Sequence, residues 1–208
     1  MRRRHPLPDC WLVSDERSPV PAAVLAARLP PGSGVVLRHD GLAAGPRWRL
    51  FRRLARIAAA RRLTLLLADE PARAKRWGAD GVHLRQHRAG RAGQARRLDL
   101  AVTMPVHDAR EARRARRAGA DAVFVSPLHP TRSHPGAAPL GTAAWLRLAR
   151  QARGDRAVAL GGMTPARARA LARAGMGSRI RPGWAAIDAW TEKAAKRRQR
   201  QKRNCVPT

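Results

Sequence analysis

The sequence predicts an α/β fold, a single (β/α)8 barrel of the TIM type, on three observations. Short apolar segments alternate with amphipathic helical patterns along most of the 208 residues. The segment Gly-Ala-Asp-Gly-Val at 78–82 returns as Gly-Ala-Asp-Ala-Val at 119–123, and in both a glycine ends a helix before an apolar strand begins. Eight such strands are present, the number at which a parallel sheet closes into a barrel. An open doubly wound sheet is the alternative, although no glycine-rich dinucleotide fingerprint opens a helix.

Each predicted strand is a short apolar run that is bounded by polar or turn-forming residues. In chain order the strands lie at Trp11–Ser14, Val35–Arg38, Thr64–Ala68, Gly81–Leu84, Leu100–Thr103, Ala122–Ser126, Ala157–Leu160 and Trp184–Ile187. Between the strands, apolar residues recur at helical spacing, most clearly at Trp48, Phe51 and Leu54. The predicted helices lie near 20–29, 46–60, 71–77, 89–97, 108–118, 142–153 and 165–174.

The barrel is predicted to span residues 9–190. From Lys193 to Arg203, basic residues crowd a stretch that has no apolar face. A segment of this kind cannot pack against the barrel, so we predict that 191–208 forms a basic, disordered tail.

The formal net charge of +29 raises the question of a nucleic-acid partner. Lysine occupies only four positions, and arginine accounts for the other 39 basic residues. In the segment 109–118 the arginines lie opposite a stripe of alanines at helical spacing, which places the charge on a solvated helix face. We therefore predict no sequence-specific nucleic-acid binding. Nonspecific binding through the basic surface and tail is kept as an alternative of a different functional class.

Cysteine usage and hydropathy predict a cytoplasmic protein. The two cysteines, Cys10 and Cys205, have no metal-binding spacing and lie near opposite ends of the chain. The apolar runs are much shorter than the roughly 20 residues that a membrane helix needs. No apolar segment follows the charged N-terminus, so no signal peptide is expected.

The residues that follow the predicted strands point to an anionic ligand, because a parallel barrel binds its ligands at the carboxyl ends of the strands. The loop 126–136 is rigid and polar, with prolines, hydroxyls and histidines. Gly161 and Gly162 follow the seventh strand and precede a helix that Thr164 can cap, which is typical of a phosphate site. A tight turn without a ligand is the alternative interpretation of the two glycines. His83 is interpreted either as facing the barrel interior or as a structural residue.

Three segments resemble thiamine-phosphate synthase and its relative, the thiazole tautomerase: Gly78–Gln86, Gly119–Gly141 and Ala159–Met163. The likeness extends from Trp11 to Trp190 and omits the basic tail. It implies a (β/α)8 barrel. It also implies a reaction in which an aminopyrimidine diphosphate loses pyrophosphate with the help of Mg²⁺, and the nitrogen of a thiazole phosphate captures the resulting cation. Such chemistry needs positive charge around the leaving pyrophosphate and backbone donors for the second phosphate.

The resemblance also implies roles for individual residues. Substrate-binding positions are Arg38, Gln86, Thr131, Ser133, Gly161 and Gly162, and the magnesium position is Asp69. His107 is retained at the end of the fifth strand. We predict that His107 and His134 are catalytic and can exchange protons.

Five positions depart from the family pattern. They are Asp40 for a lysine, Ala68 for an asparagine, Arg88 for the second magnesium aspartate, Pro105 for a serine and His134 for a lysine. Arg88 is predicted to bind substrate instead, since a guanidinium can pair with a phosphate in a bidentate manner. His134 can replace a lysine only when it is protonated, which predicts pH-sensitive activity. The sequence thus predicts a transferase with an altered metal site. The alternative is a tautomerase-like or phosphate-binding relative that lacks transferase activity.

Overall fold

The fold is given by a computed structural model that describes residues 7–131, 136, 138–153, 157–178, 180–187 and 189–191. The predicted site residues Ser133 and His134 lie outside the described residues, as does the predicted tail beyond Thr191. The extent of the barrel domain and the disorder of the tail therefore stay predictions.

Eight parallel strands close into a barrel in which each strand pairs with its neighbours in sequence and β8 pairs with β1. This arrangement confirms the predicted (β/α)8 fold. The strands are β1 Cys10–Val13, β2 Gly34–Leu37, β3 Thr64–Leu67, β4 Gly81–His83, β5 Ala101–Val106, β6 Ala122–Val125, β7 Ala157–Ala159 and β8 Gly183–Ala186.

Seven α-helices cover the outside of the barrel in the described part of the chain. They are α1 Ala22–Ala26, α2 Ala44–Arg61, α3 Pro71–Trp77, α4 Ala92–Arg97, α5 Ala109–Ala118, α6 Gly141–Arg153 and α7 Pro165–Gly175. Two 3₁₀ turns, Gln86–Arg91 and Met176–Ser178, precede α4 and follow α7. No helix among the described residues is both long and apolar enough to cross a membrane.

Side chains alternate along each strand between the barrel interior and the layer beneath the helices, which gives two separate apolar clusters. The interior cluster consists of Leu7, Trp11, Val13, Val36, Leu66, Ala101, Ala122, Phe124, Val158 and Ala185. Trp11 meets Phe124 edge to face, with the ring centroids 5.4 Å apart. Because the interior is filled in this way, a ligand can enter only at the mouth of the barrel.

The repeated Gly-Ala-Asp segment ends a helix and leads into a strand, as the sequence predicts, and its aspartate bonds to the neighbouring strand of the barrel. Gly78 and Gly119 end α3 and α5 in the left-handed conformation. The carboxylate of Asp80 accepts a hydrogen bond of 2.7 Å from the backbone N–H of Leu65 on β3. The carboxylate of Asp121 accepts the equivalent bond from Val102 on β5, at 2.8 Å.

Most elements lie within about three residues of their predicted bounds, and the first helix and the fifth strand differ for a physical reason. The first helix covers only Ala22–Ala26 of the predicted 20–29, because Pro21 precedes it and Pro30 follows. The fifth strand continues to Val106, whereas the prediction ended it at Thr103. Pro105 lies within this strand and pairs in register with Phe124. Proline has no backbone N–H to donate to the sheet, but the side chains on either side of it are buried and hold the strand in place.

Candidate active site at the barrel mouth

Among the described residues, three of the cavities at the carboxyl ends of the strands adjoin one another. The β7 cavity, of about 180 Å³, is lined by Arg38, Ser126, Pro127, Thr131, Leu160, Gly161, Gly162, Met163, Thr164, Arg167, Ala185, Ala186, Ile187 and Ala189. The β1 cavity is lined by Ser14, Asp15, Glu16, Arg17, Arg38, His39 and Asp40. The β3 cavity, of about 260 Å³, is lined by Asp40, Arg47, Ala68, Asp69, Arg73, His83, Arg85, His87 and Arg88. Arg38 is shared by the first two cavities and Asp40 by the last two.

The β7 cavity has the backbone geometry of a phosphate site. Gly161 and Gly162 both have positive φ, at 95° and 58°. A Cβ atom on Gly162 would lie 2.6 Å from the carbonyl oxygen of Pro130, so the loop 127–130 packs against the turn too closely for a side chain. Helix α7 begins just beyond, and the Thr164 hydroxyl caps it by accepting a 3.3 Å hydrogen bond from the N–H of Arg167. A helix N-terminus next to a glycine turn favours an anion.

Two arginines and two hydroxyls add to the polar side of this cavity. Arg167 donates a hydrogen bond to the carbonyl oxygen of Gly162, which holds its guanidinium against the turn. Arg38 is exposed, and no described residue accepts a hydrogen bond from its guanidinium. Ser126 and Thr131 supply the hydroxyls. The opposite wall is apolar, so the cavity can hold a phosphate at one end and an uncharged ring at the other.

In the β3 cavity, Asp69 is already bound by other residues. Its Oδ2 lies 2.6 Å from Nη1 of Arg47 and 2.8 Å from Nη1 of Arg73. Its Oδ1 accepts a 2.7 Å hydrogen bond from the N–H of Glu70. Both carboxylate oxygens therefore have protein donors.

Arg47 is a buried residue of α2 that joins the ends of two strands, β2 and β3. Besides its ion pair with Asp69, its Nη2 donates to the carbonyl oxygens of Arg38, at 2.7 Å, and Ala68, at 3.0 Å. The same nitrogen lies 3.5 Å from Oδ1 of Asp40. The side chain of Arg47 is only 7% exposed, so it is part of the packed structure and not a surface charge.

The donor set at Asp69 does not fit Mg²⁺. Magnesium prefers oxygen ligands in octahedral geometry and needs carboxylates that are free to coordinate it. The oxygens of Asp69 face guanidinium groups, and Arg88 brings a further positive charge, with Nη1 3.8 Å from Oδ1. Within the described ranges, no group of three or more His, Cys, Asp or Glu side chains could hold a metal ion.

The remaining arginines of the β3 cavity pair with exposed carboxylates. Nη1 of Arg88 lies 3.3 Å from Oε1 of Glu70. Arg85 donates to Oδ2 of Asp40. Because each of these arginines uses one terminal nitrogen in these contacts and has five N–H groups in all, donors remain for an anion in the cavity.

His83 lies at the inner end of the β3 cavity and is an uncharged histidine. Its Nδ1 is 2.9 Å from Oγ1 of Thr103, and that hydroxyl donates to the carbonyl oxygen of Val82. We assign the proton to Nδ1, which leaves Nε2 as an acceptor. Burial lowers the pKa of His83 to about 3, with a smaller contribution from the nearby positive charges of Arg38 and Arg85. The imidazole faces the barrel interior, which is one of the two interpretations left open above.

Two other predicted site residues lie beside α5, and neither lines the β7 or the β3 cavity. The Nδ1 atom of His107 is 2.8 Å from Oε2 of Glu111, and its side chain is 45% exposed. Gln86 donates to the carbonyl oxygen of Pro105 and accepts a 3.4 Å bond from Arg114. The side chain of Asp108 caps α5 by accepting a 2.8 Å hydrogen bond from the N–H of Glu111.

The structure thus brings the predicted residues together in two groups. Arg38, Thr131, Gly161 and Gly162 line the β7 cavity, and Asp69 and Arg88 line the β3 cavity. Their roles as ligands stay predictions.

Four arginines were missed by the sequence reasoning: Arg47, Arg73, Arg85 and Arg167. Two of them carry a signal that could have revealed them. Arg73 lies four residues after Asp69, the spacing of a helical ion pair. Arg167 lies in the first turn of α7, where the helix dipole disfavours a cation unless an anion is near.

Comparison with known proteins agrees with this fold. A family model described as thiamine monophosphate synthase matches residues 10–179. The thiamine phosphate pyrophosphorylase from Pyrococcus furiosus has the same fold, with a TM-score of 0.70, 17% identity, and coverage of 90% of this chain and 95% of that one. FabK from Thermotoga maritima is similar at a TM-score of 0.65 and 15% identity, over 86% of this chain and 58% of that one. No protein with a curated description matches the sequence. Because the family model matches most of its length, this chain belongs to the thiamine monophosphate synthase family.

Proposed function

We propose that this protein is a transferase of thiamine biosynthesis that joins an aminopyrimidine diphosphate to a thiazole phosphate and releases pyrophosphate. The observation that carries the proposal is the β7 cavity, where the Gly161–Gly162 turn and the N-terminus of α7 lie beside an apolar wall. Family membership supplies the substrate class.

In this proposal the phosphate of the thiazole sits on the Gly161–Gly162 turn. Backbone N–H groups and the dipole of α7 stabilise its charge, and Arg38 and Arg167 add charge-assisted hydrogen bonds. The apolar wall, which includes Leu160 and Ile187, packs against the ring. The phosphate thereby orients the ring nitrogen toward the centre of the mouth.

The aminopyrimidine diphosphate is proposed to bind with its diphosphate in the β3 cavity. When the carbon–oxygen bond to the diphosphate breaks, the electron pair leaves with the oxygen and negative charge accumulates on pyrophosphate. Arg73, Arg85 and Arg88 stabilise that charge. The lone pair of the thiazole nitrogen then forms the new carbon–nitrogen bond.

His83 contributes by staying uncharged. An imidazolium at this position would repel the cation that develops on the pyrimidine side. Burial lowers the pKa of His83 to about 3 and so prevents this at neutral pH. The Nε2 lone pair is available to accept a hydrogen bond from a substrate amino group.

The second candidate is a tautomerase-like or phosphate-binding relative without transferase activity. The observation that favours it is that Arg47 and Arg73 form ion pairs with the carboxylate of Asp69, which is the magnesium position that the resemblance implies for the transferase. In that case the β7 cavity binds the thiazole phosphate and His107 and His134 exchange protons, as the sequence predicts.

Two measurements on the full chain separate these candidates. Calorimetric titration with the thiazole phosphate tests the β7 cavity, with Gly162→Ala as the disrupting variant. Gly177→Ala is the matched control, because its added methyl meets no atom within 4 Å. A turnover assay with both substrates then tests transfer. Saturable binding with product formation supports the transferase, binding without product supports the second candidate, and the absence of binding rules out both.

A further inference from the structure

The β3 cavity carries more positive than negative charge although it contains the position where the family resemblance implies magnesium. Four arginines line it against two aspartates. One of these arginines, Arg47, is buried and committed to Asp69 and to backbone carbonyls. The other three have side chains that are 37% to 52% exposed and can be reached from the mouth.

Arg88 brings its positive charge close to Asp69. Its Nη1 lies 3.8 Å from Oδ1 of that residue. A cation near Oδ1 would have to share this space with a guanidinium, and Oδ2 is already bound by Arg47 and Arg73. Repulsion between like charges at this range disfavours a divalent ion at the carboxylate.

We propose that the β3 cavity binds a diphosphate group without a divalent cation, with the guanidinium of Arg88 in the role of the metal and those of Arg73 and Arg85 beside it. The proposal rests on the proposed function for the identity of the anion, since a substrate diphosphate is what this end of the mouth would receive. Guanidinium groups fit it chemically, because their paired N–H donors match phosphate oxygens in bidentate geometry.

A metal-free site has a distinctive dependence on solution conditions. Arginine keeps its charge at every pH the protein tolerates and a chelator does not remove it. Affinity for the anion should therefore be the same in EDTA as in untreated buffer, and should fall as the ionic strength rises. Added Mg²⁺ competes for the free anion and is expected to weaken binding.

The first experiment is calorimetric titration of the full chain with inorganic pyrophosphate, at fixed ionic strength, in EDTA and then in excess Mg²⁺. We expect saturable binding to one site in EDTA and equal or weaker binding with Mg²⁺. Affinity that rises about tenfold with Mg²⁺, or no saturable binding in EDTA, overturns the proposal.

Arg88→Gln and Arg91→Gln distinguish the cavity from the general positive charge of the chain. Both substitutions remove one charge from the same 3₁₀ turn, and both arginines pair with Glu70. Arg91 is 60% exposed and is not among the residues that line the β3 cavity. We expect Arg88→Gln to lose about tenfold in pyrophosphate affinity, about 1.4 kcal/mol, and Arg91→Gln to bind as the unsubstituted chain does. Equal losses in the two variants overturn the proposal.

Arg88→Lys covers the case in which Arg88→Gln is unstable. A lysine keeps the charge and loses the bidentate geometry, so its affinity should fall between those of the unsubstituted chain and the glutamine variant. Affinity equal to that of the unsubstituted chain would contradict a role for the guanidinium.

Different binding results would show that metal-free binding is wrong and that the proposed function is wrong. If pyrophosphate binds only with Mg²⁺ while the thiazole phosphate still binds the β7 cavity, metal-free binding is wrong and the function stands. If pyrophosphate binds in EDTA but neither thiazole phosphate binding nor turnover is detected, the β3 cavity is an anion site and the proposed function is wrong.

Discussion

Arg47 and Asp69 form an ion pair in the layer between α2 and β3, with Nη1 2.6 Å from Oδ2 and side chains that are 7% and 8% exposed. Because Arg47 also donates to the carbonyl oxygens of Arg38 and Ala68, the pair fastens a helix to the ends of two strands. The carboxylate that the family resemblance assigns to a metal thus has a structural partner in this chain.

Asp69→Asn should therefore lower stability. The amide keeps the shape of the carboxylate but removes its charge, which leaves the buried Arg47 with only its longer contact to Asp40, at 3.5 Å. Breaking one side of a buried pair typically costs about 3 kcal/mol or more. The free energy of unfolding, measured by urea titration in EDTA, should fall by about that amount.

Glu70→Gln is the matched control for this prediction. Glu70 is the next residue, but its carboxylate is 38% exposed, and its contacts with Arg88 and Arg91 are 3.3 and 3.6 Å long. Surface pairs of this kind contribute at most about 1 kcal/mol. If Asp69→Asn is as stable as the unsubstituted chain and loses only activity, the carboxylate has a catalytic role and the structural interpretation is wrong.

Gly162→Ala should both destabilise the protein and weaken thiazole phosphate binding. The residue has a φ of 58°, and an added Cβ would lie 2.6 Å from the backbone oxygen of Pro130. Backbone strain of this kind costs about 1 to 3 kcal/mol, so thermal unfolding should occur at a lower temperature than in the Gly177→Ala control. Unchanged stability together with unchanged affinity would show that the turn is neither tight nor part of the site.

Much of the fold could be predicted from the sequence because the signals are local. Each strand is an apolar run with a recognisable end, and the aspartates at 80 and 121 each lie in a repeated segment. The position of the β7 cavity also follows, since Gly161 and Gly162 come directly after β7 and ligands bind where the strands of a barrel end.

The ion pair at Asp69 could not be predicted in the same way. Its partner Arg47 is 22 residues away and is one of 39 arginines, most of which occur in helical patterns like its own. Only the packing of α2 against β3 distinguishes a buried guanidinium from a solvated one. Gln86 is a similar case, because its partners Pro105 and Arg114 come from β5 and α5.

Arg38→Gln should weaken thiazole phosphate binding without affecting stability. The side chain is exposed, lines the β7 cavity and has no described hydrogen-bond acceptor. A hydrogen bond to a charged group contributes about 1.5 to 3 kcal/mol, so the affinity should fall by about tenfold or more. Arg49→Gln, which removes an exposed charge from α2, is the control. Equal losses in the two variants would assign the effect to overall charge.

The stability of the protein should depend on pH through His83. Burial lowers the pKa of this imidazole to about 3 in the folded chain, whereas its ordinary value is about 6.5. Between these values the unfolded chain binds the proton and the folded chain does not, so the free energy of unfolding rises with pH. The contribution of His83 is present above about pH 6.5 and is lost progressively as the pH falls below that value.

His83→Gln isolates this contribution from the other titrating groups. Glutamine has an amide that can bond to Thr103 but does not titrate in this range. The slope for one fully bound proton is about 1.4 kcal/mol per pH unit, and the unfolded imidazole is half protonated at pH 6.5, so the unsubstituted chain should lose about 1.6 kcal/mol more than the variant between pH 6.5 and pH 5. Burial also lowers the pKa values of His39 and His129, but both residues are present in the two proteins and their contributions cancel in the comparison. Urea titrations at the two pH values give the difference directly, and parallel pH profiles would mean that His83 is protonated in the folded protein as readily as in the unfolded chain.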